Sequence, residues 1–157
     1  MDNRLFFIGL GSNLGDRNKN LELARQYIAG VGGLKQESSL IETEPWGVKT
    51  ENLFLNQVIT VEGVRFNNVE KFLRKILDFE KKIGRDRQLR APDRIIDIDI
   101  LYCGDMVSSR DPIIPHPRLH KRKFVLTSLV EIAPDFVHPV FGETQEALLA
   151  KLKNTGS

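Results

Sequence analysis

The stretch that most constrains this chain runs from Pro92 to Tyr102, PDRIIDIDILY. Its β-branched, apolar character is that of a buried strand, yet two carboxylates, Asp97 and Asp99, stand inside it. Side chains two apart on a strand share a face. Asp97 and Asp99 therefore point one way, and Ile96, Ile98 and Ile100 the other. Two like charges beside a core repel each other and cost desolvation, so something cationic should compensate. Divalent metal is the simplest candidate; a plainer one is pairing with neighbouring arginines such as Arg94.

The elements around this strand follow from hydrophobic period and punctuation. Arg4 to Leu10 is a compact apolar first strand. The run Gly9-Leu10-Gly11-Ser12-Asn13-Leu14-Gly15 is a tight turn, and Asp16 can cap a helix with Leu21, Ala24, Ile28 and Val31 at helical spacing, ended at Gly30. A second strand is expected from about Leu34 to Thr43, then a loop punctuated by Pro45 and Gly47 to about Asn52. Leu53 to Val61 reads as a third strand, with Phe54, Asn56, Val58 and Thr60 on one face and Leu53, Leu55, Gln57 and Ile59 on the other.

Asn67 or Asn68 can cap a second helix whose stripe is Val69, Phe72, Leu73, Ile76, Leu77 and Ile83, with Glu80 on the same stripe. Gly84 ends it. A connector rich in arginine (Arg85, Arg87, Arg90, Arg94) leads to the strand with the paired acids. It is either a solvated loop or a phosphate clamp, since guanidinium forks match phosphate oxygens. Prolines 115 and 117 hold His116 on non-helical backbone. Phe124 to Ile132 is expected to be helical, 137–140 extended, and Thr144 the cap of a last helix to about Leu152.

The order β-α-β-β-α-β, with further strand and helix behind it, defines an α+β fold: a ferredoxin-like plait with an antiparallel sheet and helices packed on one face. At 157 residues one domain over 1–157 is expected. A net charge of +2 is too small to argue for nucleic acid or a membrane. The lone cysteine, Cys103, excludes a disulfide framework or cysteine-cluster zinc site and reads as a core residue. Leu5 to Leu10 is too short for a signal peptide or membrane span, which makes a cytoplasmic protein the simplest expectation.

Taken singly, most of the unusual residues have ordinary explanations. Phe54 and Phe124 could be core aromatics, Asn56 a backbone partner, His116 a turn histidine, and Trp46 a loop anchor. Together, acids, arginines and a histidine suit a magnesium–polyphosphate site, while aromatics with an amide suit a flat heterocycle. A single-stranded RNA-binding module on the same plait would need an RNP-type run, and none is present. A metal-dependent nuclease or phosphatase using Asp97 and Asp99 is the other alternative.

In sequence order, the motifs are Gly11-Ser12-Asn13-Leu14-Gly15, Thr43-Glu44-Pro45-Trp46-Gly47 and Phe54-Leu55-Asn56. Glu80 with Gly84-Arg85-Asp86-Arg87, Arg94 to Leu101, and Pro115-His116-Pro117-Arg118-Leu119 come next. Arg122 to Leu126 and Glu131-Ile132-Ala133-Pro134 complete the set. This ordered set resembles the 6-hydroxymethyl-7,8-dihydropterin pyrophosphokinase family of folate biosynthesis. The resemblance implies transfer of the β,γ-pyrophosphoryl group of ATP to the pterin hydroxymethyl oxygen, leaving AMP. It implies that Asp97 and Asp99 hold two Mg²⁺ ions, and that Arg85 and Arg94 act with them in catalysis. Glu80, Arg85, Arg87, Arg94, Ile100, His116 and Arg122 would serve ATP. Thr43, Glu44, Trp46, Phe54, Asn56 and Phe124 would form the pterin pocket, with Asn13 near it. It also implies small-molecule substrates only, and a monomer. Two departures stand out: the loop before Arg94 lacks the aromatic residue frequent in the family, and Glu44 stands where proline is frequent.

Overall fold

The computed structural model describes residues 4–45, 51–85 and 93–154. One antiparallel sheet organises them. Its strands are β1 (Phe6–Ser12), β2 (Gly33–Glu37), β3 (Ile41–Thr43), β4 (Phe54–Glu62) and β5 (Asp97–Cys103), in spatial order β2-β4-β1-β5 with β3 also on β4. The helices are α1 (Arg17–Ala29), α2 (Val69–Ile83), α3 (Lys123–Ile132) and α4 (Gln145–Asn154). Up to β5 the chain follows the ferredoxin-like order, with the edge strand split in two.

Local chemistry sets the helix ends. Asp16 accepts a hydrogen bond from the Lys19 amide at the start of α1, and Asn68 does the same for Lys71 at the start of α2. Gly84 closes α2 at φ +125°, a conformation that side chains with a Cβ rarely adopt.

Alternation along the strands divides the sheet cleanly. Phe6, Ile8, Leu10, Leu55, Ile59, Ile96, Ile98 and Ile100 pack beneath α1 and α2 with Leu21, Ile28, Phe72 and Ile76. On α2, Phe79 is buried and Leu77 is 37% exposed, so the true stripe differs by one position from the sequence expectation. Phe7, Val58, Leu101 and Tyr102 lie on the opposite face, under Leu126 and Leu129 of α3 and Leu148 and Leu149 of α4. A bulge makes this possible. Ile8 pairs with Ile100 and Phe7 with Tyr102, leaving Leu101 extra. Leu101 and Tyr102 consequently both face the second core, while Cys103 returns to the first. The helices thus cover both faces, where one was expected.

Three further expectations are corrected. The strand expected over 34–43 breaks at Ser38, whose hydroxyl accepts from the Val58 amide in place of a ladder partner. The strand with the paired acids begins at Asp97; the backbone of Arg94 is instead bonded to Asn13, through its N–H to Oδ1 (2.6 Å) and its carbonyl to the Asn13 N–H (3.0 Å). The extended piece at 137–140 amounts to a single bridge between Val137 and Thr144. Among the described residues, no helix is long and apolar enough to cross a membrane.

Candidate active site

α3 and α4 cover only part of the second face. The remainder forms a cleft of about 680 Å³, open mouth included. Gly9 and Gly11 of β1 supply its floor, Phe54 and Asn56 of β4 one wall, and Asp97 and Asp99 of β5 the other. Phe124 and Ser128 close one side from α3, and Thr43 and Glu44 reach in from the end of β3. Space is short at Gly11, where a Cβ would lie 3.2 Å from Asn56 Oδ1; a Cβ on Gly9 would meet the Leu101 side chain at 3.5 Å, an ordinary contact. By sequence alone these glycines belong to a turn. The signal for the floor was their spacing: glycines two apart on a strand let something approach one face closely.

At the polar end, register places Asp97 opposite Gly11 and Asp99 opposite Gly9, on one face as expected. Burial, with the neighbouring Asp97 charge second, pushes the Asp99 carboxyl up to about 7. Asp97 does have protein counter-charge. Arg85 Nη1 lies 2.7 Å from Asp97 Oδ1, and Arg94 Nη1 lies 3.7 Å from Oδ2. The arginine pairing considered for the strand is therefore real for Asp97. Arg122, at the N-terminal boundary of α3, faces the cleft and attracts both carboxylates.

Glu80 is 1% exposed. Its Oε2 accepts from Arg85 Nη1 (3.0 Å) and from the Ile98 N–H on the outer edge of β5 (2.8 Å). This explains an acid on an apolar helix stripe: it satisfies a strand edge and fixes the arginine that reaches Asp97. Ile100 has its side chain in the first core, 5% exposed, so its backbone is the part available to a ligand. His116 is held by its N–H to Leu101 O, and its Nδ1 accepts from the Arg118 N–H. Burial, with Arg122 nearby, lowers its pKa to about 4. The ring is therefore neutral at pH 7, with Nε2–H as its donor.

At the apolar end, Asn56 Nδ2 donates to Thr43 Oγ1 at 2.7 Å and to Ile41 O at 3.3 Å. Asn13, 4% exposed, joins the segments that lead into β4 and β5: its Nδ2 donates to Asn52 O and to Asp93 Oδ1. Trp46 and Arg87 lie outside the described residues.

For magnesium the protein donor set is sparse. Among the described residues no cluster of three or more Asp, Glu, His or Cys could cage an ion. Mg²⁺ commonly takes one or two carboxylates and fills its remaining positions with water and substrate phosphates. Asp97 and Asp99, facing an open cleft with arginines at its rim, fit that pattern.

A cleft with aromatics and an amide at one end and acids and arginines at the other suits a flat heterocycle beside a metal-bound polyphosphate. The sequence model described as 7,8-dihydro-6-hydroxymethylpterin-pyrophosphokinase (HPPK) matches residues 7–134, and the chain belongs to this family. A 2-amino-4-hydroxy-6-hydroxymethyldihydropteridine pyrophosphokinase of Methylorubrum extorquens is 37% identical over 153 residues, covering 96% of this chain and 94% of that protein. The folic acid synthesis protein fol1 of Pneumocystis carinii is 38% identical over 145 residues, 90% of this chain but 19% of that longer protein. Among solved structures, Plasmodium falciparum HPPK-DHPS superposes with a TM-score of 0.74 at 16% identity, over 95% of this chain and 44% of that one. That likeness shows the shared fold.

Proposed function

We propose that this chain transfers the pyrophosphoryl group of ATP to the hydroxymethyl oxygen of 6-hydroxymethyl-7,8-dihydropterin, giving the pterin diphosphate and AMP. The observation that carries the reading is the division of one cleft into a stacking end (Phe54, Asn56, Phe124) and a carboxylate–arginine end (Asp97, Asp99, Arg94, Arg122). Pterin and triphosphate would meet between them.

In this reading Phe54 and Phe124 sandwich the pterin, while Asn56 and the Thr43 backbone bond to its polar edge. Thr43 and Glu44 line that end, and Trp46 completes the wall. Arg94 and Arg122 bind phosphate oxygens. Arg85 does so after exchanging Asp97 for phosphate, held in place by Glu80. His116 donates from Nε2 to the triphosphate, and Arg87 and the Ile100 backbone add nucleotide contacts. Asp97 and Asp99 hold Mg²⁺, two ions in this proposal; bound there, Mg²⁺ would neutralise triphosphate charge and polarise the β-phosphoryl group.

The bond changes are few. The hydroxymethyl oxygen bonds to the β-phosphorus, the bond from that phosphorus to the α,β-bridging oxygen breaks, and AMP leaves with the electron pair. The hydroxyl proton is released. Positioning and charge neutralisation supply most of the acceleration in such transfers, so no strong base is required. A monomer is the working unit in this reading.

The test is product analysis with ATP, Mg²⁺ and the pterin alcohol. AMP formed in step with pterin diphosphate supports the proposal. ADP would mean ordinary kinase chemistry. Phosphodiester hydrolysis without a pterin requirement would move the site to the nuclease reading.

A further inference from the structure

The motif Glu131-Ile132-Ala133-Pro134 has no part in the chemistry above, yet its acid makes a contact across 92 residues of sequence. Glu131 stands near the end of α3. Both of its carboxylate oxygens lie 3.0 Å from the Ser39 backbone N–H, and Ser39 Oγ donates to Oε1 at 2.6 Å. One residue on, the Ile132 carbonyl accepts from Gln36 Nε2 at 3.2 Å. These bonds grip the corner where the edge strand breaks between β2 and β3. From the other side, the Ser38 N–H donates to Val58 O, its hydroxyl accepts from the Val58 N–H, and its carbonyl accepts from Gln57 Nε2.

The corner matters because it leads directly into β3. That strand has three residues and pairs only with Phe54, Leu55 and Asn56, too short a ladder to fix itself. It nonetheless sets the Asn56 amide. The Ile41 carbonyl can only accept, so the Asn56 nitrogen must face β3, where Thr43 Oγ1 takes its second hydrogen. That turns Oδ1 toward Gly11 and the floor of the cleft, as an acceptor for an N–H edge.

We infer that Glu131 is a positioning residue for heterocycle recognition: through Ser39 and β3 it keeps the Asn56 amide oxygen turned into the cleft. The inference rests on the pterin reading of that cleft. Glu131 also joins the helix that carries Phe124 to the corner two residues before the strand that orients Asn56. At the triphosphate end Arg85 is held separately, by Glu80 and Asp97.

The test compares the full chain with Glu131→Ala and Thr43→Val, titrating 6-hydroxymethyl-7,8-dihydropterin and, separately, a nonhydrolysable ATP analogue with Mg²⁺. For Glu131→Ala, which removes the acceptor of both the Ser39 N–H and its hydroxyl, the pterin Kd should rise about tenfold. The analogue's Kd should stay within about twofold. Thr43→Val should give the same selective loss, and the double variant little more than the larger single loss, because both act through one element. Unchanged pterin binding in Glu131→Ala overturns the inference, and so does an equal fall in both affinities, the mark of a general loosening. If the native chain binds no pterin, the activity reading fails and takes this inference with it. If the native chain binds and Glu131→Ala binds as well, the inference alone fails.

Discussion

The two faces of the sheet are made from the same strands and used in opposite ways. Beneath α1 and α2 the core is apolar from Phe6 to Ile100, with Glu80 the acid at its margin. Under α3 and α4 the core is shorter and holds polar groups: Tyr102, whose hydroxyl burial pushes its pKa upward, and His138, stacked on Phe141 at 4.2 Å. Beyond that smaller core the sheet carries glycines, an amide and two acids where side chains would otherwise pack. One face provides stability, and the other gives some of it up to expose backbone and charge. Period-2 alternation lets one strand do both, and β5 shows it most plainly: Ile98 and Ile100 below, Asp97 and Asp99 above.

The comparison can be broken most forcefully at the acids. Asp97→Ala and Asp99→Ala should each lower kcat by about a thousandfold or more, the scale expected when metal-held charge stabilisation is lost. The circular dichroism spectrum should be unchanged. A variant with native turnover would separate the acids from the reaction.

On the other face, Phe72→Ala should cost about 3–5 kcal/mol of stability, because Phe72 is fully buried edge-on to Phe6. Denaturant titration gives the loss. Turnover per folded molecule should stay near native, and a large fall in kcat with native stability would contradict the division of labour.

His138 probes the second core by pH. Its Nδ1 accepts from the Val140 and Phe141 N–H groups, and burial lowers its pKa to about 4 from 6.5. Between those values the unfolded chain binds more protons than the folded one. The stability that His138 contributes therefore rises with pH across that window, is complete above about 6.5, and is lost as pH falls toward 4. His138→Phe should flatten that slope; a slope identical to native would remove His138 as its source.

The smallest effect should come from the cleft floor. Gly11→Ala brings a methyl to 3.2 Å from Asn56 Oδ1. It should weaken pterin binding several-fold, about 1 kcal/mol, with less change in thermal stability. Equal binding by the variant would place the heterocycle elsewhere.

Much of this arrangement was legible in the sequence because it is local. Period 2 put Asp97 and Asp99 on one face, and capping residues fixed where α1 and α2 begin. What escaped depends on contacts far apart in the chain. Nothing near Ser38 says that the edge strand breaks there; the break is held by Val58 and Gln57 of the next strand and by Glu131 of α3. Arg94, three residues before Asp97, was the partner legible nearby; the shorter contact, from Arg85, was not, because Glu80 aims that arginine from another element. Asn13, expected near the pterin side with a share in the first turn, joins Asn52 to Asp93, partners 39 and 80 residues away. Helices on the second face could not be read from the six-element order, since they come after it in the chain.

The most direct test of the account is a crystal structure of the chain with Mg²⁺, a nonhydrolysable ATP analogue and 6-hydroxymethyl-7,8-dihydropterin. The account predicts the pterin ring between Phe54 and Phe124, with the triphosphate and metal over Asp97 and Asp99 on the same face of the sheet. A pterin bound anywhere else, or metal held away from both acids, would contradict it.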